Sequence, residues 1–279
     1  RRDCRLMDLP DQFDKPFEKQ LASELDLALR VADAADAFTL PRFIDCDFTV
    51  DWKTNATEVT EIDRQAETLI VNALVGERPD HAAFGEEHGA AGDQSSPWRW
   101  VIDPIDGTSG FVRGIPVWAS LIALTHENEA VLGVVSAPAL GFRWWGGVGL
   151  GAYVQSHTGT TRSIAVSAVT ALDEAQVSIT HNSGWDRLGK TDRLVALQQQ
   201  ARRSRGMGDF WQHMLVAEGA MDVAVDAVGV AAYDLAAIKP IVEAAGGTFT
   251  DRLGEATYEH DTAVSSNGHL HDTVIALLK

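Results

Sequence analysis

Residues 98–108 read Trp98-Arg99-Trp100-Val101-Ile102-Asp103-Pro104-Ile105-Asp106-Gly107-Thr108. The first five are β-prone and mostly apolar, the pattern of a strand, and the run ends directly in an aspartate. Pro104 then turns the chain away from the sheet, so Asp103 and Asp106 can face one point with the Ile105 carbonyl between them. Carboxylates, a carbonyl and water are the oxygen donors that a hard cation such as Mg²⁺ takes. Gly107 allows a close backbone approach, so its N–H and that of Thr108 can cradle a phosphate. The same residues also fit an ordinary Asp/Gly turn, and the segment alone does not choose between the two.

Upstream, Gly85-Glu86-Glu87 follows the short apolar run Ala82-Ala83-Phe84. One glutamate could face a metal and the other solvent, or both could sit in a surface loop. A helix is announced by Thr60, with Asp63 three positions on and Ile62, Ala66, Leu69, Ile70 and Ala73 following. Thr60 and Asp63 form a capping-box pattern with Asp in place of the usual Glu, yet a carboxylate there can also hold and polarise a water. Before it, Leu21, Leu25, Ala28, Ala32 and Ala35 predict a helix from Phe17 to Phe38 that ends near Pro41.

Downstream, Val117–Thr125 and Ala130–Ala137 read as a hairpin across Glu127-Asn128-Glu129, with strands at Phe142–Trp145 and Gly151–Val154. From about residue 157 strands alternate with helices: strands at Gln176–Thr180, Met221–Asp226 and Thr248–Asp251, helices at Asp192–Arg202, Phe210–Gly219, Tyr233–Ala245 and Asp272–Leu278. Asp234 falls where the helix from Tyr233 begins, the place of an N-cap or of a carboxylate aimed at a metal. The expected architecture is layered α+β and α/β. An antiparallel sheet with helices occupies residues 7–156, and a mixed α/β half, 157–279, completes one compact unit.

The chain has 279 residues and a formal net charge of −17. That acidity repels a phosphate backbone and argues against nucleic-acid binding. No apolar run approaches the roughly 20 residues of a membrane-spanning helix, and no signal peptide opens the chain. Only Cys4 and Cys46 are present, neither a disulfide framework nor a zinc cluster, so a reducing cytoplasm is the expected compartment. Residues 1–6 precede Met7 and read as upstream of the fold. Trp118, Trp144 and Trp145 read as core or interface aromatics and His88 as a solvated loop histidine.

Taken in order, Thr60–Asp63, Gly85-Glu86-Glu87, Asp103–Thr108 and Asp234 before an Ala-rich helix resemble the inositol-monophosphatase-like, lithium-sensitive phosphatases. Within them the chain is most similar to the bacterial histidinol-phosphate phosphatase branch, through Phe111–Leu124, Gly133–Leu140, Arg143-Trp144-Trp145, Gly208-Asp209-Phe210, Leu215–Ala220, Asn267-Gly268 and His271-Asp272. Ser109-Gly110, Tyr233, Thr54-Asn55 and Glu58 depart from the family's usual residues without removing a carboxylate.

The resemblance implies an αβαβα sandwich and a Mg²⁺-dependent phosphate monoesterase acting on a small molecule, usually as a homodimer. Glu86, Asp103 and the Ile105 carbonyl would hold one Mg²⁺; Asp103, Asp106 and Asp234 would hold a second, with Asp103 bridging; a third, weaker ion would lie near Glu86. Thr108 and Asp63 would orient and deprotonate the attacking water, and Gly107 and Thr108 would bind phosphate through their N–H groups. Histidinol phosphate carries an ammonium and an imidazole, so Asp209 and Asp226 are candidate substrate contacts; each equally fits a helix cap or a strand-end aspartate. Inositol or another sugar phosphate is the rival substrate. A non-catalytic scaffold of the same fold is the rival class, against which every candidate carboxylate is intact.

Overall fold

The computed structural model describes residues 15–53 and 57–279. Residues 1–6, Cys4 and the Thr54-Asn55 departure lie outside the described residues.

Helix α1 (Lys15–Asp45) leads through the short pair β1 (Val50–Trp52) and β2 (Glu58–Thr60) into α2 (Glu61–Glu77). Strands β3 (Ala82–Gly85), β4 (Gly89–Gly92) and β5 (Trp98–Asp106) follow, then the short α3 (Thr108–Val112). Next come β6 (Ala119–His126), β7 (Glu129–Ala137), β8 (Phe142–Gly147), β9 (Gly151–Ser156) and β10 (Thr161–Ser163). Together β3–β10 form an eight-stranded sheet in the order β10-β9-β8-β7-β6-β5-β3-β4. It is antiparallel except where β3 runs parallel to β5. The β6–β7 turn takes positive φ at Glu127 (51°) and Asn128 (68°), the two-residue hairpin geometry that matches strand twist.

The second half contains β11 (Gln176–Ile179), α4 (Ser183–Arg187), α5 (Thr191–Gln200), β12 (Arg203–Arg205), α6 (Asp209–Ala217) and β13 (Val223–Val225). It closes with α7 (Ala232–Leu235), α8 (Ile238–Ala244), β14 (Thr248–Thr250), β15 (Val264–Ser266) and α9 (His271–Leu278). Its sheet is mixed, ordered β12-β11-β13-β15-β14.

Because side chains alternate along a strand, β5 sends Trp100 and Ile102 toward the Leu21, Val31, Ile70 and Leu74 side of α1 and α2. It sends Val101 the opposite way, to the face where Phe210, Met214, Ile238 and Ile241 of α6 and α8 pack. The second sheet lies beyond those helices, and its outer face buries Trp185, Leu194, Leu197 and Val274 of α4, α5 and α9. The layers are therefore helix, sheet, helix, sheet, helix. Burial on both faces is why β6 and β7 are almost continuously apolar rather than alternating.

Two helix boundaries differ from the sequence expectation. The first helix does not stop at Pro41 but runs on to Asp45. Proline costs one i→i−4 hydrogen bond; the extra turn carries Phe43 onto Phe111 and Trp118, with ring centroids 5.3 and 5.4 Å away, and that packing offsets the loss. The helix expected over Tyr233–Ala245 is instead divided into α7 and α8. Pro240 has no N–H to give the Ala236 carbonyl. At the break the backbone presses on the sheet, where a Cβ on Gly133 would stand 2.0 Å from the Ala237 oxygen.

Candidate active site

In a regular strand, residues three apart point to opposite faces, so Asp103 and Asp106 could not converge. Here β5 bulges. Asp103 pairs with Leu121 but Asp106 with Ala119, three steps on one strand against two on the other. Ser120 Oγ donates to the Pro104 carbonyl over 2.7 Å, and the Ile105 N–H donates to Asp103 Oδ1 over 3.0 Å. The bulge re-aims the side chains, and carboxylate oxygens of Asp103, Asp106 and Asp234 lie within 4.8 Å of one another.

Asp234 is not the N-cap of its helix. It occupies the third helical position of α7, and its Oδ2 accepts the Ala231 N–H over 2.6 Å. Half of a capping box thus holds this carboxylate, since Ala231 has no side-chain acceptor to complete it. Asp63 is held the same way in the full box: Thr60 caps α2, and Asp63 Oδ2 accepts the Thr60 N–H over 2.9 Å and its hydroxyl over 2.6 Å. Asp63 Oδ1 remains turned toward Thr108, whose hydroxyl lies 3.0 Å from it and 2.9 Å from the Ile105 carbonyl. Gly107 precedes Thr108 at φ 85°, and a Cβ there would press on the Val117 carbonyl at 2.9 Å. The fold itself therefore requires glycine at this position.

Glu86 stands apart from the tight trio. Its Oε1 is 2.7 Å from Lys53 Nζ, which also reaches Glu87 at 2.5 Å. Beneath this loop the buried Glu67 accepts the N–H groups of Glu87 and His88, each over 2.7 Å. A Cβ on Gly85 would come within 2.2 Å of the Glu67 carboxyl, so that contact requires glycine. Neither Lys53 nor Glu67 is among the residues that the sequence singles out. Glu67 sits on the buried face of α2 four residues after Asp63, and that spacing was the available signal. His88 is exposed, with its Nε2 near Thr68 Oγ1 and the Arg64 carbonyl. Trp118 and Trp144 belong to the core.

A cavity of about 200 Å³ opens beside the cluster, bordered by Asp106, Asp234, Asp209, Asp226, Thr180 and Asn182. Asp209 has φ 48° at the start of α6, and the next N–H, that of Phe210, donates to Asp106 Oδ2 over 2.8 Å. Asp226 follows β13, where its Oδ1 accepts the Ala227 N–H over 2.7 Å and its Oδ2 lies 3.0 Å from His213 Nε2. Both acids expected at the leaving-group side therefore border one space with two of the clustered carboxylates.

Burial first, and mutual repulsion after it, raise the pKa values of these carboxyl groups. Asp103 and Asp106 are held well above the ordinary carboxylate range. Asp234 is pushed up to about 6 by burial against the opposing Ala231 N–H bond, and Asp209 to about 6 by burial and then the Asp226 charge. Glu86 reaches about 7: burial and the neighbouring Glu87 and Asp234 outweigh its bond to Lys53. Lys53 moves up, because its bonds to Glu86 and Glu87 outweigh its own burial. Asp63 is raised by burial against its threonine bonds. Crowded buried anions of this kind call for a cation, and an all-oxygen donor set could hold a hard divalent metal.

Residues 22–279 match the model of the inositol monophosphatase family. The chain is 43% identical to a histidinol-phosphatase of Streptomyces coelicolor, over 91% of this chain and 96% of the relative. It is 42% identical to a histidinol-phosphatase of Mycobacterium tuberculosis, over 91% and 97% respectively. A solved IMPase of Thermotoga maritima superposes with a TM-score of 0.80 at 29% identity, covering 92% of this chain and 96% of that one.

Proposed function

The chain belongs to the inositol monophosphatase family and is a phosphoric monoester hydrolase, and we propose that it removes phosphate from histidinol phosphate with Mg²⁺ as its metal. The observation that carries the substrate is the acid-walled cavity, where Asp209 and Asp226 border the same space as Asp106 and Asp234. A leaving group bearing an ammonium and an imidazole gains charge pairing on such a wall; a neutral polyol does not. The similarity to proteins named histidinol-phosphatase supports the same substrate.

Glu86, Asp103 and the Ile105 carbonyl would hold one Mg²⁺, and Asp103, Asp106 and Asp234 a second, with a third, weaker ion near Glu86. When bound, the metal neutralises phosphate charge and polarises the phosphoryl oxygens. The protein's own groups supply orientation and proton transfer. A hydroxyl has one proton to give, so Thr108 donates either to Asp63 or to the Ile105 carbonyl. In the first arrangement its lone pair faces outward to accept from a water while Asp63 takes the displaced proton. The raised pKa of Asp63 makes it a stronger base and suits it to that role. The Gly107 and Thr108 N–H groups would receive phosphate oxygens as charge builds on them, and the cavity acids would seat the cationic leaving group.

Measuring kcat/KM for histidinol phosphate against inositol 1-phosphate under saturating Mg²⁺ tests the substrate. Preference for histidinol phosphate is expected; much faster hydrolysis of inositol 1-phosphate defeats the assignment. The proposal extends to a homodimer, resting on the family, and to a reducing cytoplasm, resting on the two cysteines; light scattering of the purified chain tests the first. No helix among the described residues is long and apolar enough to cross a membrane.

A further inference from the structure

His213 is fully buried in α6, one helical turn after Asp209. Its Nε2 lies 3.0 Å from Asp226 Oδ2, and its Nδ1 2.7 Å from Ser265 Oγ on β15. An ionised carboxylate only accepts, so Nε2 carries the proton toward Asp226. The serine hydroxyl can give or take a proton at Nδ1, so the ring keeps both contacts whatever its own state.

Asp226 has its other oxygen on the Ala227 N–H, and its own N–H donates over 2.9 Å to the carbonyl of Ala263, the residue just before β15. The imidazole thus joins the two cavity walls: α6, which begins with Asp209, and the segment just after β13, which carries Asp226. Each oxygen of Asp226 retains lone-pair capacity beyond these two donors, and Asp226 borders the cavity.

We infer that His213 is a positioning residue which fixes the Asp226 carboxylate against Asp209, and so sets the preference for a cationic over a neutral leaving group. This rests on the histidinol-phosphate reading above. The ring's two hydrogen bonds go to Asp226 and Ser265, and neither reaches the clustered carboxylates or Thr108, so phosphate release itself should be indifferent to it.

The test compares His213→Gln and His213→Phe with the unaltered Mg²⁺-loaded protein on histidinol phosphate and on the neutral-alcohol ester glycerol 2-phosphate. Gln can place an amide N–H near the position of Nε2; Phe keeps the ring and loses both polar contacts. With Phe, KM for histidinol phosphate should rise on the order of ten-fold at nearly constant kcat, the loss expected for a hydrogen bond to a charged group. Glycerol 2-phosphate should change by less than about two-fold, and Gln should recover most of the loss. Calorimetric binding of L-histidinol should weaken in step with KM.

An equal loss on both esters, no change on either, or a Gln variant no better than Phe would overturn the inference. If Phe does not fold, Gln against Asn decides: Gln should keep the ester preference and Asn, too short to reach Asp226, should lose it, and identical preferences overturn it. The unaltered protein separates the two readings. Failure to prefer histidinol phosphate at all defeats the substrate assignment, whereas an intact preference that His213 variants leave untouched defeats only the positioning role.

Discussion

The Thr108 hydroxyl lies 3.0 Å from Asp63 Oδ1 and so ties the first turn of α2 to the bulged end of β5. The remaining oxygen of Asp63 is spent on the Thr60 cap, which leaves Oδ1 as the atom aimed at the cluster. Asp63→Asn should keep the fold but lower kcat by roughly 10²–10⁴-fold, the range of a lost general base. Thr108→Ser should retain most activity and Thr108→Val should not. Steady-state phosphate release reads all three, and full activity after Asp63→Asn would remove Asp63 from the chemistry.

Asp103 stands among Glu86, Asp106 and Asp234 with its pKa displaced upward by burial and then by those charges. Asp103→Asn should abolish phosphate release, yet raise the metal-free melting temperature by a few degrees, because a buried repulsion is relieved. Scanning calorimetry beside the activity assay checks both directions. Full activity in the variant would refute the metal-site assignment.

The pH dependence follows from the raised carboxyl groups. Glu86 titrates at about 7 instead of its ordinary 4.5, and Asp234 and Asp209 at about 6 instead of 3.8. Folded metal-free protein therefore binds more protons than the unfolded chain across this window. The stability they contribute is complete below about pH 4 and is lost as pH rises through about 6 to 7. Saturating Mg²⁺ should reverse the loss, so the gap between metal-free and metal-loaded melting temperatures should widen between about pH 5 and 8. A gap that stays constant across that range contradicts the crowded-carboxylate account.

Gly85→Ala would put a methyl 2.2 Å from the Glu67 carboxyl. Glu67 cannot retreat without releasing the Glu87 and His88 N–H groups. The substitution should cost roughly 1–3 kcal/mol in urea unfolding and raise the Mg²⁺ concentration for half-maximal activity, since Glu86 rides on the same loop. Unchanged stability would mean that Glu67 does not hold the loop.

The elements themselves were largely legible. The capping box at Thr60 and Asp63, the hairpin around Glu127-Asn128 and the strand entering Asp103 all follow from local backbone chemistry. One failure came where tertiary packing overrode it, the other where a local proline signal was passed over. Pro41 looked like a stop until Phe43 found Phe111 and Trp118, and Tyr233–Ala245 looked continuous although Pro240 denies Ala236 its hydrogen bond.

The amino-acid order determined which carboxylates exist and that each sits at a strand end or in a first helical turn, because caps and turns depend on neighbours within a few residues. Only the tertiary structure decided that Asp103, Asp106 and Asp234 converge within 4.8 Å, since that depends on a register shift against β6 and on how closely Ala237 meets Gly133. It alone joined Lys53 to Glu86 and His213 to Asp226. Those partners lie 33 and 13 residues apart, and no local periodicity encodes a contact made across separate elements.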